Sequence, residues 1–175
     1  MQYSDADALS KALTDGSLDM AAPVSASTAT GLNGKDGLTV KEGATTDKVL
    51  LAYNNGTDSL LSDEQARKAF RYQIDAAGIA SAQPDAAGAL GGPISPLEPG
   101  YEDLTGLYPH DENQAGQMFS YFGAQYLTTV NLVVPEEYRS LAETIKQQIE
   151  RQPRPTVNLE VLSDEDYAKR IKDGK

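Results

Sequence analysis

The segment most informative about the fold begins with Lys48-Val-Leu-Leu-Ala-Tyr53, which is followed directly by Asn54-Asn-Gly56. It ends with Ser62-Asp-Glu-Gln-Ala-Arg-Lys-Ala-Phe-Arg-Tyr-Gln-Ile-Asp75. The first part is short and apolar, as strands are. Asn-Gly favours a turn because both residues tolerate positive φ. The last part has apolar residues at helical spacing. The segment therefore predicts a strand, a turn and a helix in succession.

The second half of this segment predicts an amphipathic helix over residues 63–77. Ser62 and Gln65 have the spacing of a capping box, in which each side chain satisfies a free backbone N–H at the helix start. Gly78 is expected to end the helix. The apolar positions are Ala66, Ala69, Phe70, Ile74 and Ala77. They lie on one face, which is expected to be buried.

Three patterns lie before this segment. Residues 5–15 predict a small amphipathic helix, with Ser4 as its N-cap and Gly16 just past its end. Residues 24–31 have few bulky side chains, and the pattern leaves open whether they form a loop or a short helix. Leu38-Thr-Val-Lys41 predicts a second strand that pairs with segment 48–53 or lies close to it.

The C-terminal half predicts a strand, a helix and a second strand. Residues 127–134 are apolar and β-branched, and Pro135 ends this strand and opens a helix over residues 136–151. Residues 157–161 then alternate apolar and polar side chains, as in a strand with one buried face. A helix between two such strands implies a parallel crossover. We also expect strand 127–134 to share a sheet with strand 48–53.

Two more helices are expected to pack on the sheet. One precedes strand 127–134 and has an apolar stripe of Ala115, Met118, Phe119, Phe122 and Tyr126, which we interpret as core rather than as an aromatic ligand site. The other is a short last helix that Ser163 caps, with Tyr167 and Ile171 facing inward. The predicted fold class is α/β, with a mixed β-sheet flanked by helices.

The length of 175 residues suits one domain with its own core. From residue 81 to residue 100 the composition shifts to Ala, Gly and Pro, which is typical of a linker. We therefore expect residues 1–175 to form a single α/β unit with a Pro/Gly/Ala-rich crossing at 81–100.

Composition excludes several classes of function. The chain has 15 Lys and Arg against 26 Asp and Glu, a formal net charge of −11, which disfavours nucleic acid and anionic membranes as partners. It has no Cys, so a disulfide framework and a thiolate metal site are both excluded. The start of the chain lacks a basic region and an apolar region, and we expect no export signal within these residues.

Catalytic and metal sites are not expected. The single histidine lies in His110-Asp-Glu112, just before a predicted helix, where helix capping explains it better than metal binding. A hydrolase would need a Gly-x-Ser-x-Gly elbow, a Cys nucleophile or a second His, and the sequence has none of these. The chain is therefore not predicted to be an enzyme, and no cofactor is expected.

Several segments, in order along the chain, resemble the solute-binding proteins of ABC importers of the peptide/nickel type, known as family 5. Residues 48–75 are similar to the family's strand, Asn and helix pattern Asp-x-x-x-Arg-x-Ala-x-x-Tyr-x-Ile-Asp. Further similar segments are residues 7–19, 37–41, 92–101, 108–115 and 166–175. Two positions depart from the family: Ala76 stands where Arg is frequent, and Gln152-Pro-Arg-Pro155 replaces a Gly-containing turn. The resemblance covers nearly the whole chain.

The resemblance implies the second lobe of a periplasmic-binding-protein-like (type II) fold, the central portion of a larger two-lobe protein. Such proteins close on an oligopeptide or another small solute, without catalysis or a cofactor. The implied partner is the membrane permease of the importer, and nucleic acid is not an implied partner. The implied location is extracytoplasmic, either periplasmic or lipid-anchored to the outer face of the cell membrane. The fragment is expected to be monomeric.

Tyr53, Asn54 and Asn55 are the candidate ligand-binding residues. They stand at the C-terminal end of a predicted strand, where α/β folds present polar groups to ligands. The two asparagines also fit a simple turn, and that interpretation is compatible with a position in the cleft. Residues 90–99 of the crossing are a second candidate surface.

A stand-alone structural or assembly protein, such as a virion component, is the alternative hypothesis. Such a protein would also be acidic, free of Cys and rich in loops, as residues 21–37 and 81–100 are. That hypothesis does not account for the ordered similarities along the chain.

Overall fold

The structure, a computed structural model, describes residues 5–121, 126 and 128–173. The elements in chain order are α1 (Ala6–Thr14), α2 (Ala26–Leu32), α3 (Glu64–Gln73), α4 (Ala76–Ala82), α5 (Glu112–Ser120), β1 (Thr129–Pro135), α6 (Arg139–Ile149), β2 (Thr156–Leu162) and α7 (Asp164–Lys172). Short 3-10 turns precede α3 and α6, at Leu60–Ser62 and Glu136–Tyr138. The α/β class is confirmed, with a small parallel sheet and flanking helices. None of the described helices has the length and hydrophobicity needed to cross a membrane.

The two described strands form one parallel pair. β1 and β2 are in register from Thr129 opposite Thr156 to Pro135 opposite Leu162, and α6 connects them. The predicted strand, helix and parallel strand are therefore confirmed, although position 127 lies outside the described residues. As predicted, Pro135 ends the strand and leads into the helical segment. It suits that position because its missing N–H costs a helix start nothing.

Segments 38–41 and 48–53 are not strands, and the prediction that strand 48–53 shares a sheet with strand 127–134 is wrong. The described sheet is parallel rather than mixed. A strand needs a neighbouring edge for its backbone N–H and C=O groups, and no described segment lies beside 48–53 in that way. Val49 and Leu50 remain 59% and 58% exposed. Their composition is β-favourable, but β propensity reports packing on a sheet more than an intrinsic backbone preference.

The predicted helix over residues 63–77 is two helices. Asp63, rather than Ser62, caps α3, because its carboxylate accepts a hydrogen bond from the N–H of Gln65 at 2.7 Å. After α3 ends, Asp75 caps α4 by accepting from the N–H of Gly78 at 2.8 Å. Gly78 therefore lies inside α4 instead of ending a helix, and a Cβ there would stand 2.2 Å from Asp75 Oδ2.

The starts of α1, α2 and α7 follow the same chemistry, whereas α6 begins after Tyr138 without a side-chain cap. Asp5 caps α1 by accepting from the N–H of Ala8 at 2.7 Å, and the predicted cap Ser4 lies outside the described residues. The segment left open as loop or helix forms α2, which Ser25 caps. Ser163 caps α7 as predicted. Side-chain oxygens thus satisfy free N–H groups at each of these helix starts.

The core lies where α3, α5, α6 and β2 meet. Its buried members are Ala66, Ala69, Phe70, Ala115, Met118, Phe119, Ile149 and Val157. Three of these are alanines at 0% exposure, which lets α3 and α5 approach closely. The rings of Phe70 and Phe119 meet edge to face, with centroids 5.2 Å apart.

The predicted apolar stripes are buried in their central parts, but residues at their ends are exposed. Ala77 and Ile171 were predicted to face inward, yet Ala77 is exposed and Ile171 is 59% exposed. Tyr126 lies beyond α5 and is 65% exposed, while Phe122 falls outside the described residues. The ends of the stripes are exposed because α3 and α5 are shorter than their sequence periodicity suggests, and because Ile171 on α7 faces solvent.

A buried amide network joins α3 to α5 and α6. Gln73 is fully buried, and its Nε2 donates to the backbone carbonyl of Gln148 at 2.6 Å. Its Oε1 accepts from Gln152 Nε2 at 2.9 Å. Gln152 Nε2 also donates to the carbonyl of Glu112, and Gln148 Oε1 accepts from the N–H of Asp75, both at 2.9 Å. Both polar ends of Gln73 are therefore hydrogen-bonded, as a buried amide requires.

We expect Gln73→Leu to lower the free energy of unfolding by about 1–3 kcal/mol, because partners of a buried amide would lose their hydrogen bonds. The matched control is Gln147→Leu on the exposed side of α6, which should change that free energy by less than about 0.5 kcal/mol. Urea denaturation followed by circular dichroism measures both. Equal effects of the two substitutions would contradict a structural role for the network.

Candidate functional site

The three predicted site residues are adjacent in sequence but differ in environment. Tyr53 is half-buried, and its ring lies 6.0 Å from that of Phe70 in the core. Asn54 and Asn55 are exposed. Asn54 Oδ1 accepts a hydrogen bond from the N–H of Gly56 at 2.9 Å, so the turn interpretation of this asparagine is confirmed.

Tyr53 lines a cavity of about 280 Å³ on the outer side of α3. We call this cavity the basic pocket. Its wall consists of Tyr53, Glu64, Arg67, Lys68, Arg71, Gly91 and Tyr108. The two asparagines lie beside the pocket in sequence and are not part of its wall.

The charges of the basic pocket come from one helix. Arg67 and Arg71 are four residues apart on α3 and so project from the same side, with Lys68 next to them. Arg67 Nη1 donates to the carbonyls of Leu61 and Ser62, both at 2.8 Å. These two bonds fix its guanidinium against the 3-10 turn that precedes the helix.

Arg71 lies against an aromatic wall. Its guanidinium carbon stands 5.6 Å from the centre of the Tyr108 ring, and its Nη2 donates to the carbonyl of Gly91 at 3.3 Å. Tyr108 in turn packs edge to face on Tyr72, with centroids 5.6 Å apart. The loop residues therefore hold Arg71 in place from two sides.

Gly91 can occupy its position only without a side chain. A Cβ there would lie 2.2 Å from the carbonyl carbon of Leu104 and 2.4 Å from the nitrogen of Thr105. The close approach of these two loop segments brings the carbonyl of Gly91 to Arg71. The Ala/Gly/Pro composition of the crossing thus has a structural reason at this residue.

His110-Asp-Glu112 is a helix start, as predicted. Asp111 caps α5 by accepting from the N–H of Gln114 at 2.9 Å. The carbonyl of Tyr72 accepts from the N–H of Asp111 at 2.9 Å and lies 3.0 Å from His110 Nδ1. Within the described residues, no group of three His, Asp or Glu side chains is arranged to hold a metal ion.

The loop that follows Gly91 is anchored to the segment that ends at Tyr53. Lys48 forms an ion pair with Glu98, whose carboxylate also accepts from the backbone N–H of Ser95 at 2.7 Å. These hydrogen bonds from Lys48 and Ser95 lower the pKa of Glu98 to about 2. The ion pair thereby links the two candidate ligand surfaces that the sequence predicts.

A larger cavity of about 470 Å³ lies between α1 and α2. Most of the residues that line it have apolar side chains, including Leu9, Met20 and Pro23, and Asp5 also lines it. It contains no cluster of charges among the described residues and none of the predicted site residues. We therefore place the candidate site at the smaller basic pocket.

Of the residues that line the basic pocket, the sequence analysis names Tyr53 as a candidate and does not name Arg67, Lys68, Arg71 or Tyr108. One signal was available, because Arg67-Lys68 and Arg71 place three cations within five residues of a chain with a net charge of −11. Tyr108 had no comparable signal, since it is 55 positions after Tyr53 and only the folded loop brings it to the pocket.

Tyr53 should resist ionisation, since burial raises its pKa to about 12 from an ordinary value of 10.0. We expect the difference between the ultraviolet titrations of wild type and Tyr53→Phe to have its midpoint near pH 12. The neutral phenol stabilises the fold below the unfolded pKa of about 10, and this contribution disappears as the pH rises through about 12. A midpoint near 10 would show that the phenol is exposed to solvent.

Glu98 should stay ionised at pH values where exposed glutamates are protonated. We expect its carboxyl group to titrate near pH 2 by NMR, and Lys48→Met to raise the midpoint towards the ordinary value of 4.5. The contribution of this carboxylate to stability is present above the unfolded pKa and is lost as the pH falls towards 2. Lys41→Met, at an exposed position, is the matched control, and an equal shift in both variants would refute the ion pair.

Comparison with known proteins gives a family match and matches to solved structures. The oligopeptide-binding protein AppA from Bacillus subtilis, solved in complex with a nonapeptide, has 18% sequence identity to this chain and a TM-score of 0.62. The match covers 95% of this chain and 36% of AppA, so the chain spans about a third of that protein's length. At this identity the likeness shows a shared fold. No curated protein sequence matches the chain.

The family model for the middle part of bacterial extracellular solute-binding proteins, family 5, matches residues 1–175. The resemblance inferred from the sequence is therefore confirmed. The chain belongs to the bacterial extracellular solute-binding proteins of family 5.

Proposed function

We propose that this chain is one lobe of a two-lobe protein that captures a peptide and delivers it to the membrane permease of an ABC importer. The observation that carries the proposal is the family match over residues 1–175. Such a protein works by a population shift, because the ligand stabilises the closed state through contacts to both lobes. No bond is made or broken, so the proposal includes no enzymatic activity.

The peptide as ligand is supported by the shared fold with AppA, which was solved with a nonapeptide. The chain spans 36% of that protein's length, so a complete ligand surface would need further parts of a longer protein. We propose that residues 1–175 form one α/β lobe with the crossing at 81–100. The family description places these proteins outside the cell, and we propose a periplasmic or lipid-anchored parent protein.

Tyr53, Asn54 and Asn55 remain the proposed ligand contacts. Tyr53 lines the basic pocket, and both asparagines are exposed at the adjoining turn. Asn54 Oδ1 is used within the turn, which leaves its amide N–H groups free to donate. Asn55 offers both a donor and an acceptor to a peptide backbone.

Peptide binding tests the proposal, with the product of the complete reading frame that contains these residues. We expect a labelled nonapeptide mixture to bind in a fluorescence anisotropy assay, and Asn55→Ala to weaken binding about fivefold through the loss of one hydrogen bond. The matched control is Asn113→Ala, at an exposed position of α5 outside the pocket, which should bind as wild type does.

Two results would count against the proposal. A protein that binds no nonapeptide would contradict the peptide as ligand. A reading frame that stops on both sides of residues 1–175 would contradict the two-lobe arrangement.

A further inference from the structure

We propose that the basic pocket binds a carboxylate group of the solute. The group is either the C-terminal carboxylate of a peptide or an acidic side chain within it. The identity of the solute rests on the proposed function, whereas the preference for a carboxylate rests on the pocket alone. Its volume of about 280 Å³ lies just below the usual range for ligand sites, roughly 300–1,000 Å³, so it holds one end or one side chain of a peptide.

The charge of the pocket is opposite to that of the chain. The chain carries a net charge of −11, yet the pocket wall has three cations, Arg67, Lys68 and Arg71, against the single carboxylate of Glu64. Lys68 pairs with Glu64 at 2.6 Å, so these two charges compensate each other. Two guanidinium charges remain, and they create a local site for an anion on an otherwise acidic surface.

Neither guanidinium has a carboxylate partner in the described part of the chain. Among the described residues, no carboxylate oxygen lies within 4.0 Å of Arg67 or Arg71. In the hydrogen bonds between described residues, Arg67 donates through Nη1 to two backbone carbonyls, and Arg71 donates through Nη2 in a long bond to the carbonyl of Gly91. Each guanidinium has five N–H donors, so most of these donors are open to a ligand.

The pocket is also ordered before any ligand arrives. Tyr108 and the carbonyl of Gly91 restrain the plane of the Arg71 guanidinium, whose fork of donors matches the two oxygens of a carboxylate. The hydroxyl of Tyr53 has no hydrogen-bond partner among the described residues. A phenol is protonated at neutral pH, and burial raises the pKa of Tyr53 further, so its hydroxyl can donate to an anion.

NMR titration of the 175-residue chain tests the carboxylate directly. The probes are sodium acetate, trialanine, trialanine amide and Ala-Glu-Ala amide, with sodium chloride added to keep the ionic strength constant. We expect at least one carboxylate-bearing peptide to bind about tenfold more tightly than trialanine amide, through charge-assisted hydrogen bonds to the guanidinium groups. A preference for trialanine identifies the C-terminal carboxylate, and a preference for Ala-Glu-Ala amide identifies an acidic side chain.

The variants assign the effect to the pocket. Arg71→Gln should abolish the preference for the carboxylate, while Arg139→Gln, which lowers the net charge equally at the start of α6, should keep it. Arg71→Lys retains the charge but loses the planar fork, so it should keep only part of the preference. If Arg71→Gln does not fold, the test is whether Arg71→Lys loses part of the preference for the carboxylate.

Two results would overturn the inference. One is that trialanine and Ala-Glu-Ala amide bind no more tightly than trialanine amide, and the other is that the preference for the carboxylate survives in Arg71→Gln. The acetate titration distinguishes a failure of the carboxylate site from a failure of the proposed function. If acetate shifts the Tyr53 resonances only when Arg71 is present, the carboxylate site stands even if no nonapeptide binds. If acetate has no effect while nonapeptides bind, the proposed function stands and the carboxylate site is refuted.

Discussion

The packing of the helices depends on the hydrogen bonds of the buried Gln73 side chain. An amide inside a core is stable only when both its donor and its acceptor are hydrogen-bonded, and here α6 and Gln152 supply those partners. Gln152 reaches α5 as well, at the carbonyl of Glu112. Hydrophobic packing alone would let α3 slide along α5 and α6, whereas these directional bonds select one register.

That register gives α3 two separate roles. Its inner side places Phe70 and two alanines in the core, and its outer side presents Arg67 and Arg71 to the basic pocket. Any shift of the helix would move both sides together. The network around Gln73 therefore also determines where the guanidinium groups lie relative to Tyr108, although it does not touch the pocket.

The segment before Tyr53 shows how a binding surface is held without a sheet. No strand lies beside it among the residues that the structure describes, and the middle of the segment is exposed. Its ends are fixed instead by the ion pair of Lys48 with Glu98 and by the contact of Tyr53 with Phe70. Two side-chain anchors thus replace the backbone hydrogen bonds of a sheet and keep Tyr53 at the wall of the pocket.

The sequence by itself determined the local features: the cap at Ser163, the role of Pro135, the inward faces of α3 and α5, the parallel strands, and the family. The structural features in this group follow from periodicity and from groups a few residues apart, and the family follows from the resemblance of ordered segments along the chain. The sequence did not determine that segment 48–53 lacks a strand partner among the described residues, that the helix breaks at Asp75, or that Tyr108 stands over Arg71. Those features depend on contacts between residues distant in the chain or on competition between nearby caps, which only the packed tertiary structure decides.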